Sequence, residues 1–354
     1  MYDLTTLGWN DELSESFEQC RAAGLVPGRV SVQHRGAWDV LTESGELRVD
    51  VAGRLRHDAA SQAELPVVGD WVGVAARPDE SSGTIQAVLP RRTRFSRKTA
   101  WQATEEQVLV ANVDVIFVVT SVDTDLNPRR LERYLTLAWD SGAQPVLIVT
   151  KIDLVSDVTA TIAAIESVTA SVSVLPVSSV TGTGLDLVRG YLRRGVTGAF
   201  LGSSGVGKST LVNALAGEAL LETQAIRADG RGRHTTTRRE LIVLRDGGVV
   251  IDTPGMRELQ LWDAGEGLDE AFDDVTSLFS ACRFSDCRHQ REPGCAVRAA
   301  LASGALSRER WESYLHLQRE LEHLERRLDK RLQAEERRKW RALSLEARAN
   351  REQR

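Results

Sequence analysis

The chain changes rhythm along its length. Residues up to about Pro27 read as a short helical lead-in. From Arg29 to about Leu89 the apolar residues fall into short β-like runs: Val30-Ser31-Val32, Trp38-Asp39-Val40-Leu41, Leu47-Arg48-Val49-Asp50-Val51, Trp71-Val72-Gly73-Val74 and Thr84-Ile85-Gln86-Ala87-Val88. Ser44-Gly45 and Val68-Gly69-Asp70 separate them as turns. Such closely spaced short strands predict a small barrel. An OB-fold fits best, although an SH3-like barrel would show a similar pattern.

From Val108 the pattern becomes an alternation of strand and helix. Val113–Val119 and Pro145–Val149 are nearly continuous apolar runs, as in parallel strands covered on both faces. Pro128 to Asp140 predicts a helix, and a second lies near Thr159–Val168. Val172–Val177, Ala199–Leu201 and Val249–Ile251 supply further strands, so the centre of the chain is an α/β domain with a mainly parallel sheet. After Trp262 no strand is evident. Arg308 to about Arg341 predicts one or two charged helices with Trp311, Leu315, Leu321, Leu324, Leu328 and Leu332 as the packing stripe.

Composition adds little until its distribution is considered. The 354 residues are 42% hydrophobic and 27% charged, with a net charge of −5, as in ordinary globular proteins. The first twenty residues lack a basic region followed by an apolar run, so no secretory leader is expected. No run approaches the roughly 20 apolar residues that span a bilayer. A cytoplasmic, monomeric protein without membrane attachment is expected. The charge is uneven: Arg326 to Arg354 holds eleven Lys/Arg against five Asp/Glu. Smaller basic clusters lie at Arg91, Arg92, Arg94, Arg97 and Lys98, and between Arg227 and Arg239. Polyanion binding depends on such local patches rather than on the total.

The strongest chemical signal is Gly202-Ser203-Ser204-Gly205-Val206-Gly207-Lys208-Ser209, followed by Thr210. It fits the phosphate-loop pattern in full, between a strand and a predicted helix. Its glycines let backbone N–H groups turn toward phosphates at a helix N-terminus. Lys208 is expected to reach the β- and γ-phosphates, and Ser209 to ligate Mg²⁺. Asp252-Thr253-Pro254-Gly255 ends another strand, where Asp252 can hold Mg²⁺ through water and the Gly255 amide can sense the γ-phosphate. Thr150-Lys151-Ile152-Asp153 also ends a strand. A carboxylate at Asp153 accepts from guanine N1–H and the 2-amino group, donors that adenine lacks, so the motif selects GTP over ATP. Ser178-Ser179, after the next strand, supports the base. In an ATPase Thr150–Asp153 would be a chance tetrapeptide.

The order of these motifs is unusual. Asp153 and Ser178 precede Gly202, whereas the common GTPase arrangement begins with the phosphate loop. Leu185–Gly198 therefore joins the usual last helix to the usual first strand, and the domain is circularly permuted. Cys282-x4-Cys287-x-His289-x5-Cys295 supplies three thiolates and an imidazole, a set that suits a closed, structural Zn²⁺ site. Free buried cysteines beside an incidental histidine are the plainer alternative. Cys20 reads as a small apolar residue; His34, His57, His316 and His323 as surface or packing groups. Trp38 and Trp71 suit a core, although these two and Trp101 could also stack on RNA bases.

Together these features resemble the ribosome small-subunit-dependent GTPase A family (RsgA, also called YjeQ), over nearly the whole chain. The resemblance implies residues 1–98 as lead-in plus OB-like barrel, 99–262 as the permuted GTPase domain and 263–354 as a zinc-binding helical domain with a basic tail. Gly230-Arg231-Gly232-Arg233-His234-Thr235-Thr236-Thr237 is similar to the family's first switch. It implies Thr236 as a Mg²⁺ ligand and His234 as the group that orients the attacking water, since Met256 stands after Gly255. The implied function is hydrolysis of GTP to GDP and phosphate, stimulated by the small ribosomal subunit and its rRNA during late subunit maturation. Thr150 departs from the more usual Asn, while Lys151 and Asp153 keep the guanine contacts. A nucleotide switch on RNA with incidental turnover, or a permuted GTPase in another pathway, would share the central motifs.

Overall fold

The computed structural model describes residues 1–98, 106–123, 126–166, 169, 172–218, 239–252, 265–323 and 326. Two short helices, α1 (Asp11–Ser16) and α2 (Glu18–Ala22), form the lead-in. Five strands follow: β1 (Val26–Gln33), β2 (Trp38–Thr42), β3 (Gly45–Val51), β4 (Trp71–Arg77) and β5 (Ser82–Val88). They close in the order β1-β2-β3-β5-β4-β1, with β3 and β5 parallel. Helix α3 (Gly53–Asp58) lies between β3 and β4. This Greek-key order is that of an OB-fold, which decides against the SH3-like alternative. In β3, Leu47, Val49 and Val51 point inward while Glu46, Arg48 and Asp50 face water, the period-two alternation of a half-buried strand. Trp38, Trp71 and Trp9 serve packing: Trp38 donates to Pro66 O at 2.9 Å, and Trp71 meets Trp9 edge-on at 4.9 Å.

A ribbon of β6 (Arg94–Lys98) and β7 (Glu106–Ala111) leads into the second sheet, formed by β8 (Val115–Ser121), β9 (Gln144–Thr150), β10 (Ser173–Pro176), β11 (Thr197–Leu201), β12 (Glu240–Val243) and β13 (Val249–Asp252). Its order is β10-β9-β8-β11-β13-β12. The first five are parallel and β12 runs antiparallel to β13. All seven residues of β8 are buried, as parallel strands covered on both faces require. Two expectations are refined. Arg94, Arg97 and Lys98 read as a charge cluster but form a strand, and β12 is an edge element too short to announce itself. Val32 of β1 pairs with Glu240 of β12, so barrel and sheet are one continuous surface of eleven strands.

Helices α4 (Pro128–Asp140), α5 (Val158–Glu166), α6 (Leu185–Tyr191) and α7 (Lys208–Ala216) cover the sheet. Asn127 caps α4 by accepting from Arg130 N–H, with Pro128 in the first turn. Beyond the sheet, α8 (Gly265–Ala271), α9 (Asp273–Thr276), α10 (Ala296–Ser303) and a helix over 308–323 form the C-terminal part. Gly267 is needed where α8 crosses α4, because a Cβ there would lie 2.3 Å from Thr136 O. The buried face of the last helix runs through Arg310, Tyr314, Leu317 and Leu321, with Trp311 and Leu315 only partly covered. Leu324, Leu328, Leu332 and the basic stretch 327–354 lie outside the described residues, as does Trp101. Among the described residues no helix is long and apolar enough to cross a membrane.

Candidate nucleotide site and metal centre

The carboxyl ends of the parallel strands gather the sequence motifs at one edge of the sheet. Leu201 is level with Val118 and Ser121 with Thr150, while Pro176 is level with Val149 and Ala199 with Ile251. Gly202, Asp252, Thr150 and Ser178 therefore lie at or just past the ends of β11, β13, β9 and β10 on the same side of the sheet, where ligands bind in open α/β sheets.

The loop 202–207 wraps from β11 into α7. Gly202, Gly205 and Gly207 have φ of 157°, 81° and 97°, conformations that L side chains disfavour. A Cβ on Gly202 would also lie 2.2 Å from Val119 O. Val206 is buried and anchors the loop, while Ser203, Ser204, Ser209 and Thr210 are at least partly exposed. Lys208 Nζ donates to Gly202 O at 2.7 Å and Ser203 O at 2.5 Å, which holds the ammonium on the inner side of the loop. Asp252 is buried at the end of β13.

Thr150 Oγ1 lies 3.0 Å from Thr120 O and 2.5 Å from Val206 O. Its single hydrogen is shared between the two carbonyls, and so β9 is tied both to β8 and to the phosphate loop. Asp153 Oδ1 accepts from Ser178 Oγ at 2.5 Å, and Ser178 Oγ accepts from Thr181 N–H at 3.2 Å. This chain orients the carboxylate. Lys151, at φ 61°, pairs through Nζ with Asp123 Oδ2 at 2.8 Å. Ser121 Oγ donates to Asp123 Oδ1 at 2.5 Å. Asp123 is missed by sequence reasoning, since a lone aspartate after a strand carries no signal without its partner. Ser179 lies beside Ser178 and is partly exposed. Gly255, His234 and Thr236 lie outside the described residues.

The second cluster is Cys282, Cys287, His289 and Cys295, whose ligand atoms all lie within 4.8 Å of one another. His289 Nδ1 is 3.6 Å from Cys282 Sγ and 3.5 Å from Cys295 Sγ. Those separations approach the edges of a tetrahedron with metal–ligand bonds of about 2.0–2.3 Å. Burial opposes charge on the Cys282 thiol. The Ala296 and Val297 N–H groups at the start of α10, together with hydrogen bonds from Cys287 and Cys295, outweigh it and lower the thiol below its ordinary range. Phe279 stacks on His289 at 4.5 Å, and Trp311 meets the ring edge-on at 5.8 Å. A Cys3His set so enclosed can hold one Zn²⁺ and leaves no open position for catalysis.

Comparison with known proteins agrees with this geometry. The model of the RsgA GTPase family matches residues 88–262. A small ribosomal subunit biogenesis GTPase RsgA from Opitutus terrae is 45% identical over 350 residues, covering 96% of this chain and 95% of its own. One from Streptomyces coelicolor is 46% identical over 341 residues, covering 95% and 92%. The crystal structure of YjeQ from Thermotoga maritima superposes with a TM-score of 0.63 at 28% identity, over 84% of this chain and 98% of that one. YloQ, described as a circularly permuted GTPase, superposes at 0.60 and 26% identity, over 84% and 96%. The strand order, the permuted succession of motifs and these similarities agree: the chain belongs to the RsgA family of circularly permuted GTPases.

Proposed function

We propose that this GTPase acts on the small ribosomal subunit late in its maturation, with rRNA as part of the surface it binds and with turnover stimulated by that surface. The observation that carries the reading is the gathering of the loop 202–207 and the Asp153 carboxylate at one sheet edge, in a chain nearly co-extensive with relatives named for small-subunit biogenesis. The working division is residues 1–98 as lead-in and barrel, 99–262 as GTPase domain and 263–354 as zinc domain with a basic tail, in a cytoplasmic monomer.

The residues take these roles in the proposal. The backbone of 202–207 and Lys208 bind the β- and γ-phosphates, and Lys208 stabilises charge that grows in the transition state. Asp153 reads the guanine edge, Lys151 lies along the base, and Ser178 and Ser179 close the pocket behind it. Ser209, Thr236 and, through water, Asp252 hold Mg²⁺, which neutralises charge on the phosphates. Gly255 senses the γ-phosphate. His234 orients the attacking water, a contribution of about 10²–10⁴-fold for a positioned catalytic group. Cys282, Cys287, His289 and Cys295 hold Zn²⁺, whose binding energy is also folding energy for the C-terminal part.

Steady-state turnover with and without purified small subunits tests the reading. Wild type is expected to be slow alone and strongly stimulated by subunits. His234→Ala is expected to lose most of the stimulation while still binding nucleotide and subunit. Absence of stimulation in wild type rejects the ribosomal reading. Full stimulation of the variant removes His234 from the mechanism and leaves the rest standing.

A further inference from the structure

The loop that carries the zinc ligands also presents an aromatic ring to solvent. Phe284, two residues after Cys282, is 41% exposed and is the sole aromatic among the large hydrophobic residues left this open in the described structure. The surrounding backbone is held in place. Cys287 N–H donates to Phe284 O at 3.3 Å and Arg283 N–H to Gly294 O at 3.1 Å. The Glu292 carboxylate accepts N–H bonds from Arg288, Gln290 and Arg291 at 3.2, 2.9 and 2.9 Å. The ring is thus displayed by a cross-braced loop.

The zinc loop and the helix that follows it are rich in arginine. The Arg283 guanidinium lies 5.5 Å from the Phe284 ring centroid. Arg283, Arg288, Arg291 and Arg298 are all exposed, and none forms an ion pair among the described residues. Against them stand the exposed Asp286 and the Glu292 already engaged with backbone. An apolar protein pocket would match the ring but not four unneutralised guanidinium groups. Duplex RNA would match the charge but offers no free base face to the ring. An unpaired nucleotide matches both, since its base stacks on an aromatic side chain while its phosphates take the arginines.

We infer that Phe284 is a stacking platform for one unpaired RNA base, with Arg283, Arg288, Arg291 and Arg298 contacting the neighbouring phosphates; this rests on the ribosomal reading above and locates part of its RNA contact. The ring serves RNA binding alone and touches neither the nucleotide site nor the metal.

The test uses full-length, zinc-loaded protein against two probes: purified small subunits, and a short single-stranded RNA carrying 2-aminopurine, whose fluorescence is quenched on stacking. Phe284→Ala is expected to weaken both by about 5- to 150-fold and to abolish the quench, the range expected for one base stacked on an aromatic ring. Phe284→Trp is expected to keep both. Phe284→Leu, which preserves apolar surface but not stacking, is expected to fall with alanine. Basal turnover and zinc content stay at wild-type values in all three. Wild-type affinity of Phe284→Leu for subunits, an undiminished Phe284→Ala, or no quench by wild type each overturns the inference. If wild type binds the single strand but not the subunits, the ribosomal reading fails and the platform stands. If it binds subunits and Phe284→Ala binds them equally, the platform fails alone.

Discussion

Two buried arginines join the GTPase sheet to its neighbours, and they are satisfied in opposite ways. Arg29, 1% exposed, lies where the barrel and lead-in meet β11. Its guanidinium donates to Gly69 O at 3.2 Å, Asn112 O at 2.9 Å, Thr197 Oγ1 at 2.8 Å and Leu7 O, all uncharged acceptors. Burial lowers its pKa to about 10, leaving it charged at neutral pH. Arg310, 5% exposed, lies where the C-terminal helix meets α4. It pairs with Glu132 Oε1 at 2.8 Å and Asp274 Oδ1 at 2.7 Å, donates to Ala271 O at 2.7 Å, and lies over the Phe272 ring at 3.8 Å. Burial works against its charge, but Asp274 and Glu132 outweigh it and raise the guanidinium above the ordinary arginine value. The first junction gathers neutral acceptors, three of them backbone carbonyls, from several segments around one cation; the second pairs one cation with carboxylates of α4 and α9. Removing the first cation leaves neutral groups unpaired, whereas removing the second leaves a buried anion.

The largest expected effect follows from that asymmetry. Arg310→Met should destabilise by about 3–5 kcal/mol in denaturant unfolding, because Glu132 is only 3% exposed and loses its charge partner. Adding Glu132→Gln should recover most of the loss. No recovery would mean that lost packing over Phe272, rather than the stranded carboxylate, sets the cost.

Arg29→Met should cost less, about 1–3 kcal/mol. A cavity of about 70 Å³ beside Arg29, lined also by Asn112, Asp114 and Thr197, gives water a route to the abandoned carbonyls. The same unfolding measurement checks it, and a loss as large as that of Arg310→Met would break the comparison.

The smallest effect concerns Thr150, which ties two loops through neutral acceptors as Arg29 does. Thr150→Val keeps the shape and removes the shared hydrogen, so nucleotide-saturated protein should lose about 0.5–1.5 kcal/mol. Thr150→Asn, with two N–H donors, should melt no lower than wild type in thermal scans with GDP. A lower melting temperature for Thr150→Asn would show that its bulk, not its donors, dominates at this position.

Local chemistry was legible in the sequence and cross-chain chemistry was not. The loop 202–209 and the cluster 282–295 each fall in one short segment with a spacing that physics restricts, so both could be read without a structure. The barrel could be read to within two topologies, and only the parallel β3–β5 pairing decided between them. Arg310 and Glu132 look like ordinary members of charged helices, being 178 positions apart. One signal was present: Arg310 falls four residues before Tyr314 and seven before Leu317, on the buried face of its helix. Expecting Trp311 and Leu315 to lead that face turned the helix by about one position and hid the arginine. Asp123 was hidden for the same reason, since its meaning lies in Lys151 on a neighbouring strand end.

The union of barrel and sheet has a mechanical side. Strand β8 holds β9 along its whole length, but β1 holds β12 at Val32 and Glu240 alone. Along the strands that pairing is a thin seam, and load between barrel and GTPase domain is shared with the bonds of Arg29 to Asn112 and Thr197 and of Ala111 N–H to Val68 O. Parting that pair leaves β12, the strand that follows residues 219–238 in the chain, held by β13 alone. The strand at that seam is joined directly in sequence to the segment that bears His234.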